Sequence, residues 1–222
     1  MIHYLFLSPE NLGVANAHRL MFQAAPGEII AYSDDDVLFR AGWLEAQLAI
    51  LDTFPKVGLV SGSPVREQFR YGNRYLRAYL AEFPEISAIS GRFIPEAWTA
   101  EFRLSVGRPA KREKETEREA ELTEIVLEYK GVRAYSTATH FQFVAPKAVL
   151  LRVLAQKWEK KLMGGQRELD ERIDAMGYAR LTTVQRYVQH MGNSVAHEFL
   201  DSVLTQKLLR TSGPGSRPPP PC

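Results

Sequence analysis

The sequence predicts an α/β fold, a mostly parallel sheet flanked by helices, on two observations. Short apolar runs alternate with amphipathic stretches from Ile2 to Ser61, and the second of those runs leads directly into three consecutive aspartates. Alternating strands and helices imply parallel strands covered by crossover helices. Ligands of open parallel sheets sit beyond the carboxyl ends of the strands, where this triplet falls.

The elements follow in order. Ile2 to Leu7, closed by Ser8-Pro9, reads as a buried strand. Asn11 to Gly13 is a turn signal, and Val14 to Ala25 carries Ala15, His18 or Arg19, and Phe22 at helical spacing before Pro26-Gly27 stops it. Glu28 to Tyr32 is a second apolar strand. Gly42 to Phe54 is a helix with Leu44, Leu48 and Leu51 on one face, and Val57 to Ser61 is a third strand. Arg66 to Phe83 reads as a helix with Arg66, Arg70, Arg74 and Arg77 in one stripe and Tyr71, Tyr75 and Tyr79 in the next. An exposed basic face beside a half-buried aromatic one is favoured there over a site for a phosphorylated acceptor, an anionic membrane or a partner.

Arg108 to Lys130 holds seven glutamates and six basic residues, the pattern of a solvated helix face. Val132 to Val144 has strand-like content. Pro146 to Met163 reads as a helix through Val149, Leu150, Val153 and Leu154, extended by Trp158 and Leu162 and broken at Gly164-Gly165. Arg167 to Met176 is a further helix, closed by Gly177. Tyr178 to Val188 alternates as a strand pair, and Asn193 or Ser194 caps a last helix through Leu209. One domain over residues 1–210 followed by a disordered Pro/Gly-rich tail at 211–222 is the expected organisation.

Composition narrows the function. The chain is 45% hydrophobic and 24% charged, ordinary for a globular domain. Its 28 basic and 26 acidic residues give a net charge of +2, which argues against a nucleic-acid partner. The single cysteine, Cys222, admits no intrachain disulfide and fits a reducing compartment. With no membrane-length apolar run and no leader pattern, the expected location is cytoplasmic, with peripheral membrane contact left open.

Asp34-Asp35-Asp36 carries the strongest chemical signal. Adjacent carboxylates repel one another unless a cation or hydrogen-bond donors neutralise them. Oxygen ligands suit Mg²⁺ or Mn²⁺, which also take diphosphate oxygens. In an extended segment Asp34 and Asp36 point one way and Asp35 the other. An acidic loop leading into the next helix accounts for the triplet alone equally well.

The run from Glu10-Asn11-Leu12-Gly13 through Gly27-Glu28-Ile29-Ile30-Ala31-Tyr32-Ser33-Asp34-Asp35-Asp36-Val37 to Gly42-Trp43-Leu44 resembles the centre of a family 2 glycosyltransferase. The resemblance implies the GT-A fold, a nucleoside diphosphate sugar as donor, Mn²⁺ or Mg²⁺, and inversion at the anomeric carbon. It places Asp34 and Asp35 at the nucleotide, Asp36 with Asp34 at the metal, and Asn11 and Gly13 in the loop bordering the nucleotide. Leu169-Asp170-Glu171-Arg172 resembles the acceptor-side helix, where an acidic residue serves as general base. The Glu-Asp pair usual there is replaced by Gly165 and Gln166, leaving Asp170 and Glu168 as the nearest carboxylates. His190 matches a histidine that completes the metal site in some relatives. His140 lies where relatives form the acceptor floor, although a hydrogen-bonded core histidine is the slightly preferred reading.

The resemblance also implies that the first β-α-β-α segment of the domain is missing. A fragment, a partner subunit completing the sheet, and a relative without transfer activity each account for that. The leading expectation is a metal-dependent inverting glycosyltransferase acting on a sugar, lipid or protein acceptor. An inactive binding or scaffold domain on the same fold is the alternative. Nucleotidyl or phosphoryl transfer is weakened by the lack of a Gly-rich phosphate loop with lysine.

Overall fold

The computed structural model describes residues 5–71, 75–108, 122–154 and 166–192. Helix α1 (Val14–Ala24) leads to strand β1 (Ile29–Ser33), a short β2 (Val37–Phe39), α2 (Trp43–Thr53) and β3 (Val57–Ser61). A 3₁₀ turn (Arg66–Tyr71), α3 (Leu76–Glu82), β4 (Ser87–Gly91) and α4 (Glu96–Ser105) follow. The second half supplies β5 (Glu124–Tyr129), β6 (Val132–Tyr135), β7 (Gln142–Pro146), α5 (Lys147–Val153), α6 (Gln166–Ala175), β8 (Ala179–Thr183) and β9 (Val188–His190).

The α/β class is as expected, but the pairing is mostly antiparallel. The seven-stranded sheet has the order β1-β7-β3-β8-β6-β5-β4. Among the described residues only β3 and β8 are parallel neighbours. β1 and β3 do run in the same direction, as a crossover through α2 requires, yet β7 lies between them and is antiparallel to both. The alternating pattern thus forecast strand direction correctly and missed the later strand that inserts. β2 and β9 form a separate antiparallel ladder. The Tyr178–Val188 pair is therefore two strands in different sheets.

β3 shows why both faces are covered. All five of its residues are buried, and successive side chains point to opposite faces. Leu59 joins Phe22, Ile30, Phe143, Leu150 and Ile173 in a core beneath α1, α5 and α6. Val60 joins Ile50, Tyr79, Leu127 and Leu181 on the face covered by α2 and α3. Each fully buried Leu or Phe contributes about 1.5–3 kcal/mol of transfer free energy.

Three expectations change. Residues 5–7 form no strand, and Leu5 and Leu7 are 75% and 85% exposed. β1 ends the sheet among the described residues, and residues 5–7 do not pair with it. The Arg66–Phe83 segment is a 3₁₀ turn and a separate short helix, and Arg66 is 2% exposed instead of lying on a basic face. Its guanidinium bonds Glu124, Glu96 and the Ile94 carbonyl. Tyr75 and Tyr79 are core residues whose hydroxyls donate to backbone carbonyls. In α2 the buried side chains are Gln47 and Ile50, with the leucines half-buried. Gln47 is satisfied by Gln142 Nε2, which donates to it at 3.0 Å. The charged run, Trp158 and Leu162, the helix from Asn193, and the tail lie largely or wholly outside the described residues.

Candidate functional site

The three aspartates join β1 to β2 at a bend. Backbone hydrogen bonds hold both ends of the link. The Asp34 amide donates to the Phe141 carbonyl at 2.8 Å, and the Met191 amide donates to the Asp36 carbonyl at 2.8 Å. Asp35 is exposed, and Asp34 and Asp36 are half-buried. All three line one cleft of about 810 Å³, with Tyr32, His190 and Ser105 among the other walls.

The β2–β9 ladder brings His190 to the aspartates. His190 is the cross-strand partner of Val37, the residue after Asp36. Its Nε2 lies 3.4 Å from Asp36 Oδ2, and its Nδ1 lies 2.9 Å from Ser105 Oγ. Gly192 allows the close approach of α4. Its φ is 73°, and a Cβ there would fall 2.1 Å from the Ser105 carbonyl oxygen. Phe141 and Phe102 pack edge-on against the imidazole at centroid distances of 5.1 and 6.0 Å.

Charge crowding shows in the acids. Burial, with Asp36 and Asp35 nearby, pushes the Asp34 carboxyl above the usual carboxylate range, despite the opposing effects of the Tyr32 hydrogen bond and His190. Tyr32 donates its hydroxyl proton to Asp34 Oδ1. Burial first, then that bond and the surrounding carboxylates, raises the phenol well above its ordinary value. Among the described residues no group of three His, Cys, Asp or Glu side chains is clustered tightly enough to hold a metal ion by itself. Asp36 and His190 are a pair of candidate ligands, 3.4 Å apart. A hard cation held by one or two protein ligands ordinarily completes its shell with water and substrate phosphate oxygens.

Asn11 and Gly13 stand at the head of α1. Gly13 takes φ 69° and donates its amide to Asn11 Oδ1 at 2.9 Å. Neither lines the cleft; α1 reaches it through Met21. Comparison with known families finds that the pattern described as Glycosyl transferase family 2 matches residues 2–116.

The chain belongs to the family 2 glycosyltransferases.

The matched span of this glycosyltransferase includes Asn11, Gly13 and the aspartate triplet; Glu168, Asp170 and His190 lie beyond it. No curated protein and no solved structure matches significantly. No helix among the described residues is long and apolar enough to cross a membrane.

On α6 the two candidate acids differ. Glu168 is part-exposed and pairs with Arg172 one turn on at 2.7 Å. Asp170 is buried, with Oδ1 2.8 Å from His140 Nε2 and Oδ2 2.9 Å from Arg180 Nη1. Arg180 also holds Asp174 through Nε at 2.8 Å and Nη2 at 3.2 Å. Burial works to lower the Arg180 pKa, but the two aspartates outweigh it and the value is raised. Neither Glu168 nor Asp170 lines the acidic cleft.

Sequence reasoning missed Ser105, Tyr32 and Arg180. Tyr32 sits two residues before Asp34 and was countable as a site residue from that spacing. Ser105 and Arg180 carry no local signal, because tertiary contacts alone bring them to His190 and Asp170.

Proposed function

We propose that this chain transfers a sugar from a nucleoside diphosphate donor to an acceptor hydroxyl, with a divalent cation at the acidic cleft and inversion at the anomeric carbon. The observation that carries the reading is the convergence of Asp34, Asp36 and His190 on one cleft, with Asp36 and His190 held 3.4 Å apart by strand pairing. That donor set fits Mn²⁺ or Mg²⁺. A cation bound there neutralises charge on the departing diphosphate.

The protein's own residues do the rest. Asp36 and His190 are the metal ligands, supported by Asp34. Asp34 and Asp35 face the nucleotide across the cleft mouth, while Asn11 and Gly13, at the head of α1, stand outside the cleft lining. The hydrogen bond from Tyr32 shares the Asp34 charge and fixes that carboxylate's orientation. α6 forms the acceptor side with Asp170 and Glu168, where an inverting transfer needs a group to take the acceptor proton. The acceptor is a sugar, a lipid or a protein, and a partner subunit would fit the open edge of β1.

Calorimetric titration of UDP and GDP with Mn²⁺ and with EDTA, on the chain and on Asp36→Ala, tests the reading. Metal-dependent binding lost in the variant supports it. A folded chain that binds neither nucleotide favours the second reading, a non-catalytic binding domain. The engagement of both Asp170 oxygens, one by His140 and one by Arg180, speaks for that reading.

A further inference from the structure

His140 belongs to a buried ionisable cluster that the donor-side chemistry does not use. Asp170, in contact with it, was a candidate for the proton-accepting role, but both of its oxygens are engaged, one by His140 and one by Arg180. The carboxylate has a buried cationic partner in Arg180. It is well suited to orient an imidazole. Arg180 keeps Asp170 an acceptor, so His140 Nε2 must carry the proton of their 2.8 Å hydrogen bond. The Nδ1 lone pair is then the basic site, and it has no hydrogen-bond partner among the described residues.

His140 is largely buried and does not itself line the acidic cleft, but its neighbours in sequence and space connect it to that cleft. It immediately precedes Phe141, whose carbonyl receives the Asp34 amide and whose ring packs on His190. From α1, His18 comes close enough for charge on one imidazole to oppose charge on the other. The His18 ring lies 4.4 Å from that of Tyr32, a cleft wall. The charged and titratable groups around His140 are thus Asp170 and Asp174 on α6, Arg180 on β8, and His18 on α1.

We propose that His140 is the general base of sugar transfer and that Asp170 is its positioning residue. This rests on the glycosyltransferase reading above. The acceptor oxygen bonds to the sugar's anomeric carbon as that carbon's bond to the diphosphate oxygen breaks. The bonding electron pair leaves with the nucleoside diphosphate. The acceptor hydroxyl proton passes to His140 Nδ1, and Asp170 stabilises the resulting imidazolium until the proton returns to solvent. A carboxylate holding an imidazole in one tautomer is a recurrent solution for proton abstraction. It supplies what Gly165 and Gln166, at the positions of the family's acidic pair, do not.

The test uses the full chain and water as the simplest acceptor. Hydrolysis of UDP-glucose and of GDP-mannose is followed with Mn²⁺ from mildly acidic to mildly alkaline pH, beside calorimetric binding of Mn²⁺–UDP and Mn²⁺–GDP. The wild-type rate should rise with pH through one ionisation. His140→Gln, whose amide still donates to Asp170, should lose roughly 10²–10⁴-fold in rate and lose that pH limb, with nucleotide affinity unchanged. Asp170→Asn should keep the limb but move it to lower pH. An active His140→Gln with the wild-type limb would overturn the proposal, as would a limb absent from Asp170→Asn alone, or nucleotide binding with no hydrolysis of either donor. Should His140→Gln not fold, imidazole ¹⁵N spectra of the wild type decide: Nδ1 unprotonated at neutral pH is expected, and a protonated Nδ1 overturns the role. Failure of the folded wild type to bind either nucleotide would remove the glycosyltransferase reading itself.

Discussion

His190 faces Asp36 across the β2–β9 ladder, Nε2 to Oδ2 at 3.4 Å, because its cross-strand partner Val37 directly follows that aspartate. The imidazole's other nitrogen is held by Ser105 Oγ at 2.9 Å. Partners of this kind orient metal-binding histidines, and their loss typically weakens metal binding about 10–100-fold. Ser105→Ala should therefore weaken Mn²⁺-dependent nucleotide binding by about that factor, and His190→Ala by at least as much. Calorimetry with Mn²⁺ and UDP checks both; full affinity in His190→Ala would take the histidine out of the site.

Gly192 sets the distance between β9 and α4. At φ 73°, with the Ser105 carbonyl only 2.1 Å from where a Cβ would stand, Gly192→Ala must shift the backbone that carries His190. Gly177, at φ 77° after α6, has open space around its Cβ position. Gly177→Ala should cost about 1–2 kcal/mol, the ordinary penalty of the left-handed conformation, and leave nucleotide binding intact. Gly192→Ala should cost more and weaken binding as well. Urea denaturation with parallel titrations separates the two.

What could be read beforehand follows from how locally each feature is encoded. The strands Ile29–Ser33 and Val57–Ser61, the intervening helix, and the aspartates after the first strand are written in contiguous apolar runs and their breakers. Gly177 marked the end of α6 by its left-handed backbone. Strand order was not readable, because nothing in Gln142–Pro146 says that it will insert antiparallel between β1 and β3. Arg66 was misplaced for a related reason. Helical spacing suggested a surface stripe, whereas its partner Glu124 is a distant residue on strand β5. Of the candidate site, the triplet was legible from its strand end and His190 only through family resemblance. The His140–Asp170–Arg180 chain depends on three elements meeting in space.

The Arg66–Glu124 pair predicts a large stability effect far from the cleft. Glu124 is fully buried; its Oε1 accepts from Arg66 Nε at 2.5 Å, and its Oε2 accepts the Ile94 amide at 2.6 Å and the Phe93 amide. Removing Glu124 takes from Arg66 its only fully buried carboxylate partner among the described residues, leaving the exposed Glu96, and takes the acceptor from the Phe93 and Ile94 amides. Breaking a buried pair in this way typically costs about 3–5 kcal/mol. Glu124→Ala should lose stability on that scale in urea unfolding, with nucleotide affinity preserved wherever the variant is folded. A loss below about 1 kcal/mol, the range of surface pairs, would show that the ions are solvated.

His18 predicts an acid-sensitive fold. Burial first, and the nearby His140 second, push its pKa from 6.5 down to about 4. Above the higher value the imidazole is neutral in folded and unfolded chains alike, and it adds no pH dependence. Between about 6.5 and about 4 the unfolded chain binds the proton and the folded chain does not, so stability falls as pH falls through that window. The loss from this one group reaches about 3 kcal/mol at the lower end. His18→Phe keeps an aromatic ring stacked on Phe22 and edge-on to Tyr32 and removes the titration. Its unfolding free energy should decline less than that of the wild type between those pH values, measured by urea denaturation at each pH. Equal slopes for the two proteins would mean that the His18 imidazole titrates alike in the folded and unfolded chain.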